Sequence, residues 1–300
     1  EAWAELGDSI VVVGGDGTWN CHIHTDDVGA AIEAALDHGR PRQIRVTDLR
    51  DQVEEEQWVR EGARQPPEED DDDGREAGQE DRVRTAVVAV ATGEGLHRIL
   101  RSLGVQRIVA GGQSMNPSTA QLLEAVDAAP SDSVVVLPNN KNIVAVAREV
   151  DSLTAKSVRV VPTSSVPEGL AALLDYQADS SLEHNAEAMT EAAGRVVSGQ
   201  VTRAVRDSSS AKGPISEGDW LGMSADGIEV VAATAVEAAT GLLDALVTDE
   251  HEVVTVLEGE DATPEDGEKV TEWLEEHRPG VEVEVHRGGQ PLYPYLLSIE

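Results

Sequence analysis

Apolar residues fall along this chain in two patterns that mark different elements. Four short runs are continuously apolar or nearly so: 86–90 (AVVAV), 107–110 (RIVA), 133–137 (SVVVL) and 158–161 (VRVV). A strand covered on both faces needs no polar side, so such runs mark interior strands of a parallel sheet. Helical spacing fills the intervals at 95–103, 118–128, 142–153 and 167–175. Alternating strand and helix predicts right-handed βαβ crossovers and an α/β fold with an open, doubly wound parallel sheet, a first lobe ending near residue 178.

The flanks are read in the same way. Residues 9–13 (SIVVV) and 18–24 (TWNCHIH) are β-prone and joined by Gly14-Gly15-Asp16-Gly17, which predicts a hairpin. Asp26 or Asp27 then caps a helix over VGAAIEAALDHG, with Val28, Ile32 and Leu36 on one face, and 43–47 reads as a further strand. This is a small α/β unit, marginal alone by its surface-to-volume ratio. Downstream, a helix over 183–199 starts a second lobe, with strands at 201–205, 219–223 and 228–232, a helix at 234–247, a strand at 252–257, a helix at 264–277 and a strand at 281–286. Ser208-Ser209-Ser210 reads as loop, and the tail GGQPLYPYLLSIE as packing docked back on the fold.

Composition narrows the classes. The 300 residues carry 57 acids against 23 bases, a formal charge of −34. A nucleic-acid partner needs basic stripes, and an anionic membrane surface repels such a chain, so neither is expected. No apolar run approaches the roughly 20 residues of a membrane span, so no stable insertion is expected. The single Cys21 cannot form an internal disulfide, which suits a cytoplasmic address. Residues 65–82 read as a disordered acidic linker: within them QPPEEDDDDGREAGQED, residues 65–81, holds nine acids against Arg75, with Ala77 as its one aliphatic residue. It accounts for only −8 of the charge, so most of the acidity is spread over folded surface. The expected layout is 1–64, the linker, then lobes at 83–178 and 179–300. The opening EAWAELGDS has no initiator Met and reads as the end of a helix already under way, so the first unit is expected to be cut short at its start.

Candidate chemistry gathers in two places. Every strand of the first lobe runs into a polar loop: Thr92-Gly93-Glu94-Gly95, Gly111 to Ser118, Pro138 to Asn142, and Pro162 to Pro167. In an open parallel sheet these loops share the carboxyl edge, where helix N-termini favour a carboxylate or phosphate. Gln113, Ser114, Asn116, Ser118, Asn139, Asn140, Lys141 and Asn142 are the candidate partner- or ligand-binding residues, and Lys141, one of four lysines, is the natural counter-charge. Plain capping explains the same residues, Asn116-Pro117 being an ordinary N-cap and first-turn pair. The second place is His22-Ile23-His24: two apart on a strand, the imidazoles share a face and suit two zinc ligands, while zinc asks for three or four. Neither a P-loop, a dinucleotide fingerprint nor a G-x-S-x-G elbow occurs, so a self-contained phosphotransferase is not visible.

Several strings then carry a resemblance in register: GDSIVVVGGDGTWNCHIHTDDVGAAIEAAL, GGQSMNPST, VLPNNKN, VVPTSSVPEGLAALL, GQVTRAVRDS and VEVEVHRGGQPLYPYLLSIE. Together they resemble the large-subunit family of the fatty acid kinases, which is related to dihydroxyacetone kinase. The resemblance covers the chain outside the acidic tract and matches the family's middle domain, from partway through, and its C-terminal domain. It implies an ATP- and magnesium-binding domain preceding this sequence, and a C-terminal domain similar to the two-lobed, DegV-like fatty-acid-binding partner. It implies zinc on His22 and His24 with a cysteine upstream of Glu1, a position Cys21 does not match. It also implies a homodimer in the full protein and a DegV-like carrier of fatty acid as partner, with the loop edge at Asn116 and Asn139–Asn142 as docking surface and no catalytic residue in this stretch. The alternatives are a lipid- or small-acid-binding module and a zinc-dependent hydrolase built on His22 and His24.

Overall fold

A computed structural model describes Trp3, Leu6 and residues 8–15, 18–25, 27–36, 38–41, 83–112 and 116–300, with backbone alone over 8–24. The chain divides into two compact units between Pro66 and Pro67. The expected strand at 43–47 and the acidic tract lie outside the described residues.

In the first unit β1 (Asp8–Gly15) and β2 (Thr18–His24) form an antiparallel pair, irregular between Asp8 and Val11. Helix α1 (Val28–Leu36) follows, and Asp27 is its cap: its Oδ1 accepts the Ala30 N–H at 2.9 Å. The Trp3 indole N–H donates to the carbonyl of Ala31, a buried residue of that helix, at 2.8 Å.

The second unit holds two sheets. In its first lobe β3 (Ala86–Ala91), β4 (Arg107–Ala110), β5 (Ser133–Leu137) and β6 (Ser157–Val160) pair in parallel in the order β4-β3-β5-β6. The connecting helices are α2 (Glu94–Ser102), α3 (Thr119–Asp127), α4 (Val144–Val150) and α5 (Val166–Leu174). Leu122, Val126, Ile143 and Ala147 of α3 and the α4 region fill one face of the sheet, and Leu100, Ala172 and Leu173 of α2 and α5 fill the other. Cover on both faces is why the inner strands β3 and β5 are apolar but for Ser133, while the edge strands β4 and β6 carry Arg107 and Arg159.

Helix α6 (Leu182–Arg195) corrects the expected lobe boundary. Its Leu182 and Met189 pack with Val87, Ala89, Val135 and Leu137, so it closes the first lobe's sheet. The helix stops at Arg195, short of the expected residue 199, because Val196 turns extended at ψ 131 and delivers Val197 to the next strand.

The second lobe is a six-stranded mixed sheet of order β11-β10-β7-β14-β12-β13, made of β7 (Val197–Arg203), β10 (Trp220–Ser224), β11 (Gly227–Ala232), β12 (Val253–Glu258), β13 (Glu282–Arg287) and β14 (Tyr295–Ile299). The tail is therefore a central strand, antiparallel to both β7 and β12, and not peripheral packing. Its residues are buried throughout. Ser208–Ser210, expected as loop, is β8 and pairs with β9 (Gly213–Ile215) in a small hairpin. Helices α7 (Ala235–Leu246) and α8 (Pro264–His277) cover one face of the large sheet through Leu242, Leu243, Val270 and Leu274. On the opposite face Leu257 and Leu296 meet Leu96 of α2, with Ile99, Val166, Leu170 and Tyr293 around them. The two lobes thus share an apolar contact through α2 and α5.

Candidate functional site

The carboxyl edge of the parallel sheet is where the loops converge, and most of its donors are already used. At the β3-to-α2 turn Gly93 takes φ +116° and offers no side-chain cap. The second lobe supplies one: the Leu96 N–H donates to the Gly288 carbonyl at 2.9 Å. Backbone meets backbone there, since a side chain at Gly95 would collide with the Arg287 carbonyl. A carbonyl oxygen thus holds the position at a helix N-terminus where an anion would otherwise sit.

The starts of α3 and α5 are closed within the chain, whereas α4 begins after Ile143 with no side-chain cap. Ser118, not Asn116, caps α3: Ser118 Oγ accepts the Gln121 N–H at 3.3 Å, and Gln121 Oε1 accepts the Ser118 N–H at 2.9 Å. At α5 the Glu168 carboxylate accepts the Ser164 N–H and hydroxyl, both at 2.6 Å, and the Ser198 hydroxyl of β7 at 3.5 Å. An internal carboxylate therefore occupies that N-terminus and touches the second lobe.

Asn139 lies at the switch point between β3 and β5 and holds φ +52°, a left-handed conformation that Asn tolerates better than most residues. Its Nδ2 donates to the Val90 carbonyl at 3.0 Å, its N–H donates to Thr163 Oγ1 at 3.0 Å, and its Oδ1 accepts the Thr163 hydroxyl at 2.9 Å. The ends of β3, β5 and the segment after β6 are tied by one side chain. Gly169 is required beneath it, because a Cβ there would strike the Asn139 amide oxygen. Asn140 is buried as well: its Nδ2 donates to the Gly112 carbonyl at 2.9 Å and its Oδ1 accepts the Asn142 N–H at 2.8 Å.

The candidate residues therefore separate. Asn139 and Asn140 are structural, whereas Asn116, Ser118, Lys141 and Asn142 are exposed at the rim; Gln113 and Ser114 lie outside the described residues. Glu168, Thr163 and Gly288 also belong to the edge. Ser165-x-x-Glu168 is a capping signature readable in the chain, whereas the Gly288 contact joins distant residues and has no local signal.

The matching end of the second lobe is acidic. Burial pushes the carboxyl of Glu258, at the end of β12, above the ordinary range, with Arg287 pulling the other way. Burial raises Glu260 similarly, and neighbouring Asp261 adds to it. Asp266, in the first turn of α8, is held below the ordinary range by the Thr263 hydroxyl and by Lys269. Among the described residues no group of three His, Cys, Asp or Glu side chains lies placed to hold a metal. His22 and His24 stand opposite Val11 and Asp8 on β2, and their side chains lie outside the described residues.

Sequence comparison matches residues 86–300 to the C-terminal domain of the FakA-like family of fatty acid kinase subunits, and residues 1–56 to the middle domain of the same family. An uncharacterised protein of Staphylococcus haemolyticus is 35% identical over 297 residues, 99% of this chain and 52% of its own length; one from Staphylococcus epidermidis is 34% identical over the same span. The chain spans about half the length of these curated relatives. In structure, a DegV family protein of Corynebacterium glutamicum aligns at TM-score 0.54 and 14% identity, over 72% of this chain and 96% of its own. Dihydroxyacetone kinase of C. freundii, in complex with AMP-PNP and Mg2+, aligns at 0.52 and 12% identity, over 86% of this chain and 57% of its own. At such identities these likenesses establish the fold, a DegV-like two-lobed α/β architecture.

Proposed function

The chain belongs to the FakA-like family of fatty acid kinase subunits, and from that premise we propose that these residues are the non-nucleotide-binding part of a kinase polypeptide that docks a fatty-acid carrier. In this reading the complete protein, a cytoplasmic homodimer, binds ATP and magnesium in a domain outside this sequence. It transfers the γ-phosphoryl group to the carboxylate of a fatty acid held by a DegV-like partner, giving an acyl phosphate. Phosphoryl transfer depends on positioning and on charge neutralisation by the metal, and this part contributes positioning.

The self-occupied sheet edge supports docking over ligand binding. A bound acid needs free donors, and here three of the four helix starts are taken: α2 by Gly288, α3 by its own capping box and α5 by Glu168, with α4 alone lacking a side-chain cap. The rim of Asn116, Lys141 and Asn142 remains open to solvent, which suits a polar protein contact. Calorimetry of the full chain against an acyl-loaded DegV-family carrier tests this. The Lys141→Glu/Asn142→Ala pair is expected to weaken binding about tenfold, the size of a modest interface contact. Unchanged affinity removes the rim from the interface, and stoichiometric fatty acid on the purified chain in native mass spectrometry favours a lipid-binding module instead.

Zinc on His22 and His24 is part of the same proposal, supported by the two positions lying two apart on β2, where alternate residues share a face. Metal analysis of an upstream-extended chain, beside a His22→Ala/His24→Ala pair, checks it. Equal zinc in both removes these residues from the site. No observation favours a hydrolase.

A further inference from the structure

The segment between β13 and β14 carries backbone strain at Leu292, whose carbonyl accepts the Thr202 hydroxyl of β7 at 3.1 Å. Leu292 holds φ +67°, a left-handed conformation that costs a bulky side chain dearly. Its side chain is 45% exposed, so no core packing demands that geometry. Two residues earlier Gln290 is 4% exposed and its Oε1 has no hydrogen-bond partner among the described residues, although its Nε2 donates to the Leu257 and Tyr293 carbonyls at 2.9 and 3.1 Å. Buried orphan acceptors are rare because the lost hydration is not replaced. The same segment is what the first lobe rests on. Gly288 receives the Leu96 N–H, Gly93 lies against Gly288 and Gln290, and Gly95 lies against Arg287.

We propose that Gly288–Leu292 is a strained clasp between the lobes, about which they part and rejoin while each sheet stays folded. Closure is favoured by cross-lobe hydrogen bonds at α2, from the Leu96 N–H to Gly288, and at α5, from the Ser198 hydroxyl to Glu168, and by the apolar contact of Leu96, Leu257 and Leu296. It is opposed by the buried Gln290 Oε1, which has no protein partner among the described residues, and by the left-handed Leu292. Parting lets water reach the amide oxygen and lets Leu292 relax. Opposed terms concentrated in one short segment make a junction with two accessible states. The cores on either side are larger than the contact between them: Leu122, Val126, Val134 and Ile143 lie within one lobe, and Leu242, Leu243, Val270 and Leu274 within the other. This clasp is independent of the docking reading. In the parted state the Leu96 N–H and the N-terminus of α2 are open at the switch point of the parallel sheet.

Hydrogen–deuterium exchange on the full chain tests the clasp. Peptides over 94–102 and 286–294 are expected to exchange through an opening with weaker urea dependence than peptides over β5 and β12, as sub-global opening does. Gly95→Ala wedges the contact and should speed exchange in both clasp peptides about tenfold, leaving β5 and β12 unchanged. Leu292→Asn keeps the left-handed geometry at lower cost and should slow exchange over 94–102 about threefold. A single opening shared by all four peptides overturns the proposal. So does loss of protection in β5 on Gly95→Ala, or a 94–102 peptide indifferent to Leu292→Asn.

Discussion

The two sheets of the second unit obtain their cover differently. The parallel sheet is sandwiched by its own helices, and every residue of β3 is buried. The six-stranded sheet has α7 and α8 on one face only; on the other, Leu257 and Leu296 lie under α2 and α5, while Leu221 packs with Ile215 of the small hairpin. One lobe is self-sufficient, and the other borrows its second cover. Dependence between them is therefore unequal: removing the first lobe would wet an apolar face of the second, whereas removing the second uncovers chiefly the outer sides of α2 and α5.

The largest expected effect comes from deleting residues 295–300. Strand β14 separates β7 from β12, so its loss leaves no continuous sheet. Exchange protection is expected to vanish over β12 and to persist over β5; simultaneous loss in both would break the asymmetry. Next, Leu257→Ala or Leu296→Ala trims the shared contact and should cost about 2–4 kcal/mol. Urea unfolding followed by lobe-specific exchange should then separate into two steps, the six-stranded lobe first. Ser118→Ala removes a cap far from that contact and should cost about 1 kcal/mol, its effect on exchange confined to the parallel lobe.

The smallest effect is one of pH. Glu258 has a folded pKa raised by burial above its unfolded value, so the folded state binds its proton more tightly. Its penalty is absent below the ordinary carboxylate range, grows as pH rises through it, and is complete above the raised value. Glu258→Gln should therefore gain stability over the parent at neutral pH and none under acid conditions, measured as Tm against pH. Asp266 has the opposite sign: its stabilisation is present at neutral pH and is lost as pH falls through its lowered value.

The same asymmetry governs what could be read in the chain. The inner strands at 86–91 and 133–137 announced themselves because cover on both faces leaves every position but Ser133 apolar. YLLSI at 295–299 is equally apolar, yet nothing local says that it pairs with β7. Ser208–Ser210 has little intrinsic strand preference and becomes a strand only by pairing with Gly213–Ile215. The loop edge was legible as a place, since strand-to-helix loops share one end of a parallel sheet. Its saturation was not, because Gly288 to Leu96 and Ser198 to Glu168 are contacts between distant segments.

The central position of β14 also has a consequence in time. Thr202, next to the end of β7, hydrogen-bonds the carbonyl of Leu292, 90 positions later. At roughly 5–20 residues per second of synthesis, β7 emerges about 5–20 s before the strand that completes its sheet. Throughout that interval one edge of β7 stands unpaired on the nascent chain beside a first lobe whose residues have all been made, until β14 arrives to join it to β12.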